Sequence, residues 1–182
     1  MTPDLLLHSL REYAARPTEP HDAAIATQFE RFITAHADCL LRSCVPGHLT
    51  GSAWVVDAER RRTLLTHHVK LDKWLQLGGH ADGDGDLLAV ALREATEESG
   101  LTRLRPVSAK IFDLDRHLIP ARKTDPDHWH YDVRFMIEAD AAEPLVVSHE
   151  SKDLAWVEIA RVAQLNPEES MVRMLRKTAS FG

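Results

Sequence analysis

The sequence predicts an α/β sandwich: a mixed sheet between helical layers, preceded by a helical N-terminal extension. Three observations predict it. Residues 1–45 place apolar side chains at helical spacing, and the pattern turns strand-like after Pro46-Gly47. One long helical pattern, residues 87–99, has strand-like stretches on both sides. Two short helical patterns, residues 159–165 and 167–177, follow the last of those stretches.

In the extension, Leu5, Leu6, Leu10 and Tyr13 recur near helical spacing, and Pro17 and Pro20 end the first helix. A second helix puts Ile25, Phe29, Phe32 and Ile33 on one face, with Asp22 in the position of an N-cap. Residues 50–57 (TGSAWVVD) and 63–70 (TLLTHHVK) read as a hairpin around the charged turn 58–62. Residues 71–77 lead into Gly78-Gly79, and a loop rich in Gly and Asp covers 80–86. The helix 87–99 stops at Gly100, a residue suited to a left-handed cap. Strands are expected at 107–115, 129–138 and 154–157, with a polar loop containing Pro120 and Pro126 before the second.

Composition bounds the function. A chain of 182 residues fits one domain. With 44% hydrophobic and 27% charged residues it is globular rather than disordered. No apolar run approaches a membrane span, and Leu5-Leu6-Leu7 lacks the basic flank of a signal peptide, so a cytoplasmic protein without membrane contact is expected. The net charge of −6 argues against a general nucleic-acid-binding surface. Two cysteines, Cys39 and Cys44, exclude a disulfide framework and a four-thiolate zinc site, and read as buried free thiols. Histidine is abundant at eleven residues, several of them clustered.

The helix LLAVALREATEESG carries an apolar stripe of Leu87, Leu88, Ala91, Leu92 and Ala95. Glu94, Glu97 and Glu98 share one edge beside it. Like charges at these spacings repel, and the C-terminal dipole disfavours anions. Such an edge is either a solvated acidic face or a site for a hard divalent cation such as Mg²⁺ or Mn²⁺. The preceding residues decide. Gly79 stands fourteen positions before Arg93-Glu94, followed by Glu97-Glu98, Gly100 and Leu101. By average residue usage this register arises by chance in roughly one in 10⁵ chains of this length.

Here the sequence resembles the Nudix hydrolase family, whose box runs from a Gly through Arg-Glu and Glu-Glu to Gly and an aliphatic residue. The box covers residues 79–101, and a looser likeness in strand order covers about 49–165. The resemblance divides the chain into a helical extension, 1–45, and a Nudix-like domain, 46–182. One position departs: the first Glu of the box is Gly85 here, flanked by Asp84 and Asp86. Asp86 suits the N-cap of the helix.

The resemblance implies a Nudix-like α/β/α sandwich and a hydrolase acting on a nucleoside diphosphate derivative. Water attacks phosphorus, and Mg²⁺ (or Mn²⁺) neutralises the diphosphate. It implies Glu94 and Glu98 as leading metal ligands, Glu97 as a third ligand or base, and the Gly78 carbonyl as a backbone ligand. Arg93 is expected to pair with acids of the loop. Glu150, six residues before Trp156, is a second candidate for the general base.

Residues 128–135 (HWHYDVRF) alternate. Trp129, Tyr131, Val133, Phe135 and Ile137 share one face; His128, His130, Asp132 and Arg134 share the other. This polar face is read as lining the substrate pocket, with His80, which directly follows the Gly pair, beside the metal. His128, His130 and Asp132 are also spaced to hold a transition metal. His117 stands near enough in the fold to join them. Two rival functions share the fold: a ligand-binding regulator that has lost catalysis, and an isomerase of prenyl diphosphates. The second needs a cysteine near the site, whereas Cys39 and Cys44 belong to the extension. The extension itself is a candidate pocket cap or homodimer interface.

Overall fold

A computed structural model describes residues 3–121, 126–149 and 151–182. The extension forms α1 (Pro3–Ala14) and α2 (Asp22–Ala35). The long strand β1 (Gly47–Val56) follows, and turns at 57–61 into β2 (Arg62–His68), with Val56 opposite Thr63 as the hairpin reading expects. Short strands β3 (Lys73–Leu75) and β4 (Leu77–His80) lead to the loop and helix α3 (Leu87–Ser99). The expected strand over 107–115 is instead two pieces, β5 (Arg105–Pro106) and β6 (Asp113–Ile119). Between them Ile111 and Phe112 turn into the core. Then come β7 (His128–Glu138), β8 (Ser151–Glu158), α4 (Ile159–Leu165) and α5 (Glu169–Thr178).

The sheet is mixed. β1 and β7 run parallel in register over ten residue pairs, from Gly47 opposite Trp129 to Val56 opposite Glu138. All other pairings are antiparallel, with β4 on β1, β6 on β7, and both β3 and β8 on β2. Period-two alternation along β1 and β7 then sorts the side chains between two layers. Leu49, Ala53, Val55, Val133, Phe135 and Ile137 join the core beneath α3. Trp54, Val56 and Met136 join Met171 and Met174 of α5 on the other face, and Trp54 Nε1 donates to Thr178 Oγ1 at 2.9 Å. Gly51 lets α3 approach: an added Cβ would stand 2.7 Å from the Leu87 carbonyl oxygen.

The extension shares this core. Phe32 stacks on Tyr131 with ring centroids 3.9 Å apart, and Phe29 meets the same ring edge-on at 5.2 Å. The boundary expected at residue 45 therefore separates segments of sequence and not separate cores. Asp22 is not the N-cap of α2. It opens the helix itself, buried, and accepts hydrogen bonds from the Thr18 and Glu19 amides and from the Tyr13 hydroxyl.

Candidate active site

Helix α3 is positioned by both of its ends. Asp86 caps it, accepting from the Ala89 amide at 3.1 Å, and Gly100 closes it in the left-handed region at φ 74°. The buried stripe is Leu87, Val90, Ala91 and Ala95, with Leu88 and Leu92 half-buried. Along its border Glu94 and Glu98 are half-buried and Glu97 is exposed. Gly79 on β4 lies against the Glu94 carboxylate so closely that any Cβ there would overlap it. A glycine is thus required where an acid of the helix meets the strand carrying the Gly78 carbonyl.

Loop acids brace this junction. Arg93 lies 3.6 Å from Asp84 and 3.4 Å from Glu94, so its guanidinium reaches back to the acidic edge as well as to the loop. Asp84 also accepts from the Asp86 amide at 2.8 Å. Asp82 forms a two-point pair with Arg42, both bonds at 2.6 Å, which ties the loop to the segment after α2. Asp84 and Asp86 together supply support beside Gly85. Glu94, Glu98, Glu97 and the Gly78 carbonyl offer oxygen donors only, the type that a hard divalent cation takes.

The neighbouring residue, His80, faces the opposite side of the sheet. It is opposite Thr50, while Gly79 is opposite Gly51 beneath α3. There His80 joins His48, His128 and His130: the His48 ring lies 5.0, 5.0 and 4.8 Å from those three. His117 of β6, paired with His130, lies 5.4 Å from its ring. Burial, reinforced by neighbouring histidines, lowers the His48 pKa to about 4 and that of His130 to about 2. Both are neutral imidazoles at neutral pH. His48 was not singled out by sequence. Its only signal is a shared face with His130, and that needs the pairing of strands 82 positions apart.

Asp132 and Arg134 do not line a pocket. Their place on the polar face of β7 predicts substrate contacts, but they are 1% and 2% exposed and are engaged inside the protein. Asp132 accepts from Thr50, Ser52 and Arg134, and Arg134 lies 3.2 Å from Asp113 and 3.3 Å from Asp115. Arg173 of α5 pairs with Asp113 at 2.8 Å, and Lys177 donates to Asp113, Asp22 and Tyr13. The polar face of β7 thus changes role along its length, from imidazoles at one end to a buried charge network behind α5. Glu150 lies outside the described residues.

The NUDIX domain family model matches residues 48–177. Among solved structures, an Ap4A hydrolase binary complex from C. elegans is similar with a TM-score of 0.59 at 18% identity, over 73% of this chain and 96% of that one. A NUDIX-family hydrolase from Clostridium perfringens gives a TM-score of 0.53 at 25% identity, over 72% and 96%. The E. coli dihydroneopterin triphosphate pyrophosphohydrolase gives 0.54 at 15%, over 71% and 92%. No curated protein matches the chain in sequence. The matched span is well over half of the 182 residues and contains the glycine pair, the braced loop and the acidic helix in their expected order, and on that footing this chain belongs to the Nudix family.

Proposed function

We propose that the protein is a divalent-metal-dependent hydrolase that cleaves a pyrophosphate linkage in a nucleoside diphosphate derivative. The observation that carries this reading is the seating of Glu94 against Gly79, with Arg93 bridging to Asp84. Arg93 stands on one side of Glu94, and carboxylates gathered on one helix edge favour a further cation among them. Glu94, Glu98 and the Gly78 carbonyl would hold Mg²⁺ or Mn²⁺, with Glu97 as a third carboxylate. When bound, the ion neutralises diphosphate charge and acidifies a coordinated water.

The chain's own residues do the rest. Arg93 and Asp84 hold the loop so that the Gly78 carbonyl and the Glu94 carboxylate keep their separation. Glu98 or Glu97 takes the proton of the attacking water, with Glu150 as the alternative base. His80 stands one residue beyond Gly79 but turns, with His128 and His130, to the other face of the sheet, away from the Glu94 carboxylate. The ligand is a small nucleotide derivative, the class represented by the ADP ribose held by the NUDIX domain of Shewanella oneidensis NrtR.

An isomerase-like chemistry using a cysteine is disfavoured. Cys39 and Cys44 are both buried, and burial with neighbouring Asp38 pushes the Cys44 thiol up to about 11. The test is a panel of nucleoside diphosphate derivatives incubated with Mg²⁺, reading released phosphate or monophosphate. Turnover that stops with chelator and in Glu98→Gln supports the hydrolase. Binding of a panel member with no turnover in any metal identifies a ligand-sensing module instead.

A further inference from the structure

We propose that His48, His128 and His130 form a site for one transition-metal ion of the Zn²⁺ class, separate from the oxygen-donor site of the box. One nitrogen from each of the three lies within 4.8 Å of the others. His48 is 3% exposed, and among the described residues neither of its ring nitrogens has a hydrogen-bond partner; the buried Nε2 of His130 has none there either. An imidazole always carries a donor or a lone pair at each nitrogen, and both are expensive to bury unsatisfied. Here the unsatisfied ring points into a ring of other imidazoles.

The surrounding groups are set for metal binding. His128 Nδ1 lies 2.9 Å from the Pro126 carbonyl, which can only accept, so Nδ1 carries the proton and Nε2 keeps its lone pair. His117 Nδ1 stands in the same relation to Asp115 at 3.2 Å, and Arg173 holds that carboxylate at 3.0 Å. Carbonyl or carboxylate partners of this kind orient metal-bound histidines. His48 and His130 are direct register partners on β1 and β7, and His128 lies two residues along. Tetrahedral Zn–N bonds of about 2.0–2.1 Å need nitrogens about 3.4 Å apart, so the three rings would close in on a bound ion. His80 and His117 flank the cluster, with rings 5.0 and 5.4 Å from that of His130.

The donor type selects the ligand. A hard ion such as Mg²⁺ favours the oxygen set across β4, whereas three neutral nitrogens favour Zn²⁺, Co²⁺ or Ni²⁺. An anion would need protonated rings, which burial opposes. Gly79 and His80 thus present two chemically distinct sites on opposite faces of one strand.

The proposal does not depend on turnover. Chelator-stripped full-length protein is titrated with Co²⁺, reading visible d–d absorption, and with Zn²⁺ by calorimetry, at neutral pH. Saturation at about one equivalent is expected. Affinity falls by about 100-fold or more in His48→Gln and in His128→Ala, and is retained in Glu94→Gln/Glu98→Gln. Circular dichroism checks folding; His128 is half-buried, so its variant answers even if His48→Gln does not fold. No Co²⁺ absorption and no Zn²⁺ heat, unchanged affinity in the folded histidine variants, or loss in the glutamate variant alone would each overturn the site. Failure of the hydrolase reading shows up separately, as absent Mg²⁺-dependent turnover.

Discussion

Lys177 on α5 places its ammonium 2.8 Å from the Asp22 carboxylate on α2, across 155 positions of sequence. The same ammonium is 2.8 Å from Asp113 on β6, and all three side chains are almost completely buried. One cation thereby joins the extension, the sheet and the last helix. Removing it takes the buried ammonium from Asp22 and leaves Asp113 to Arg134 and Arg173. Lys177→Met is expected to cost about 3–5 kcal/mol in urea unfolding, and Asp22→Asn in that background to recover part of the loss. A change below about 1 kcal/mol would contradict a charge role for Lys177.

Acid should weaken the same junction. Burial alone would raise the Asp22 pKa, but hydrogen bonds from Lys177, Tyr13 and the Thr18 amide overcome this and hold it at about 2, below the ordinary 3.8. A carboxylate depressed in the folded state contributes stability that is present above its unfolded pKa. That contribution is lost as the pH falls from about 4 through about 2. The depression of Asp115, against its own burial and under the pull of Arg134, acts in the same direction. From Asp22 alone the loss is about 2 kcal/mol, read as a declining unfolding midpoint across that window. A flat profile there would contradict it.

The two adjacent glycines should respond differently to alanine. At Gly79 the new methyl meets the tip of Glu94, a side chain that can swing away. The protein should fold with nearly normal melting, while Mg²⁺-dependent turnover drops by about 100-fold because a ligand is displaced. At Gly78 the methyl meets Ser52 at its Cα, 2.7 Å away, on the adjoining strand. Gly78→Ala should lose about 1–3 kcal/mol of stability. Equal melting of the two variants would show that the strands yield more readily than this packing implies.

Arg93→Ala and Asp84→Asn should each lower Mg²⁺ affinity by about 10-fold to 100-fold. The double variant should lose little more than either single one, because both remove one brace. Additive losses in calorimetry would show that the two residues act independently.

Phe32→Ala should destabilise the protein by about 3–5 kcal/mol, since its ring is 5% exposed and lies flat on Tyr131 of β7. Near-neutral unfolding behaviour would mean that the helical arm folds apart from the sheet.

Local patterns were legible in the sequence because they depend on near neighbours. Asp86 and Gly100 mark the ends of α3 through capping chemistry that spans three or four residues. The box acids, the glycine pair and the alternation of β7 are equally local. The broken strand before β6 was missed because Ile111 and Phe112 continue the apolar pattern while the chain turns. Asp132 and Arg134 share a face with His128 and His130, yet α5 covers only one end of that face. Alternation reports which side a residue takes, and cannot report what lies on it. His48 needed the parallel pairing of β1 with β7, and Asp22 needed a partner near the other end of the chain.

The placement of Lys177 also orders events during synthesis. Translation runs from the N-terminus, so Asp22 leaves the ribosome long before Lys177, the ammonium it meets in the core. Until then Asp22 lacks its buried ammonium, while Asp113 already has Arg134 within reach. Final compaction of the arm onto the sheet must therefore wait for α5 to emerge, and a ribosome stalled before codon 177 should expose a protease-sensitive, chaperone-bound intermediate.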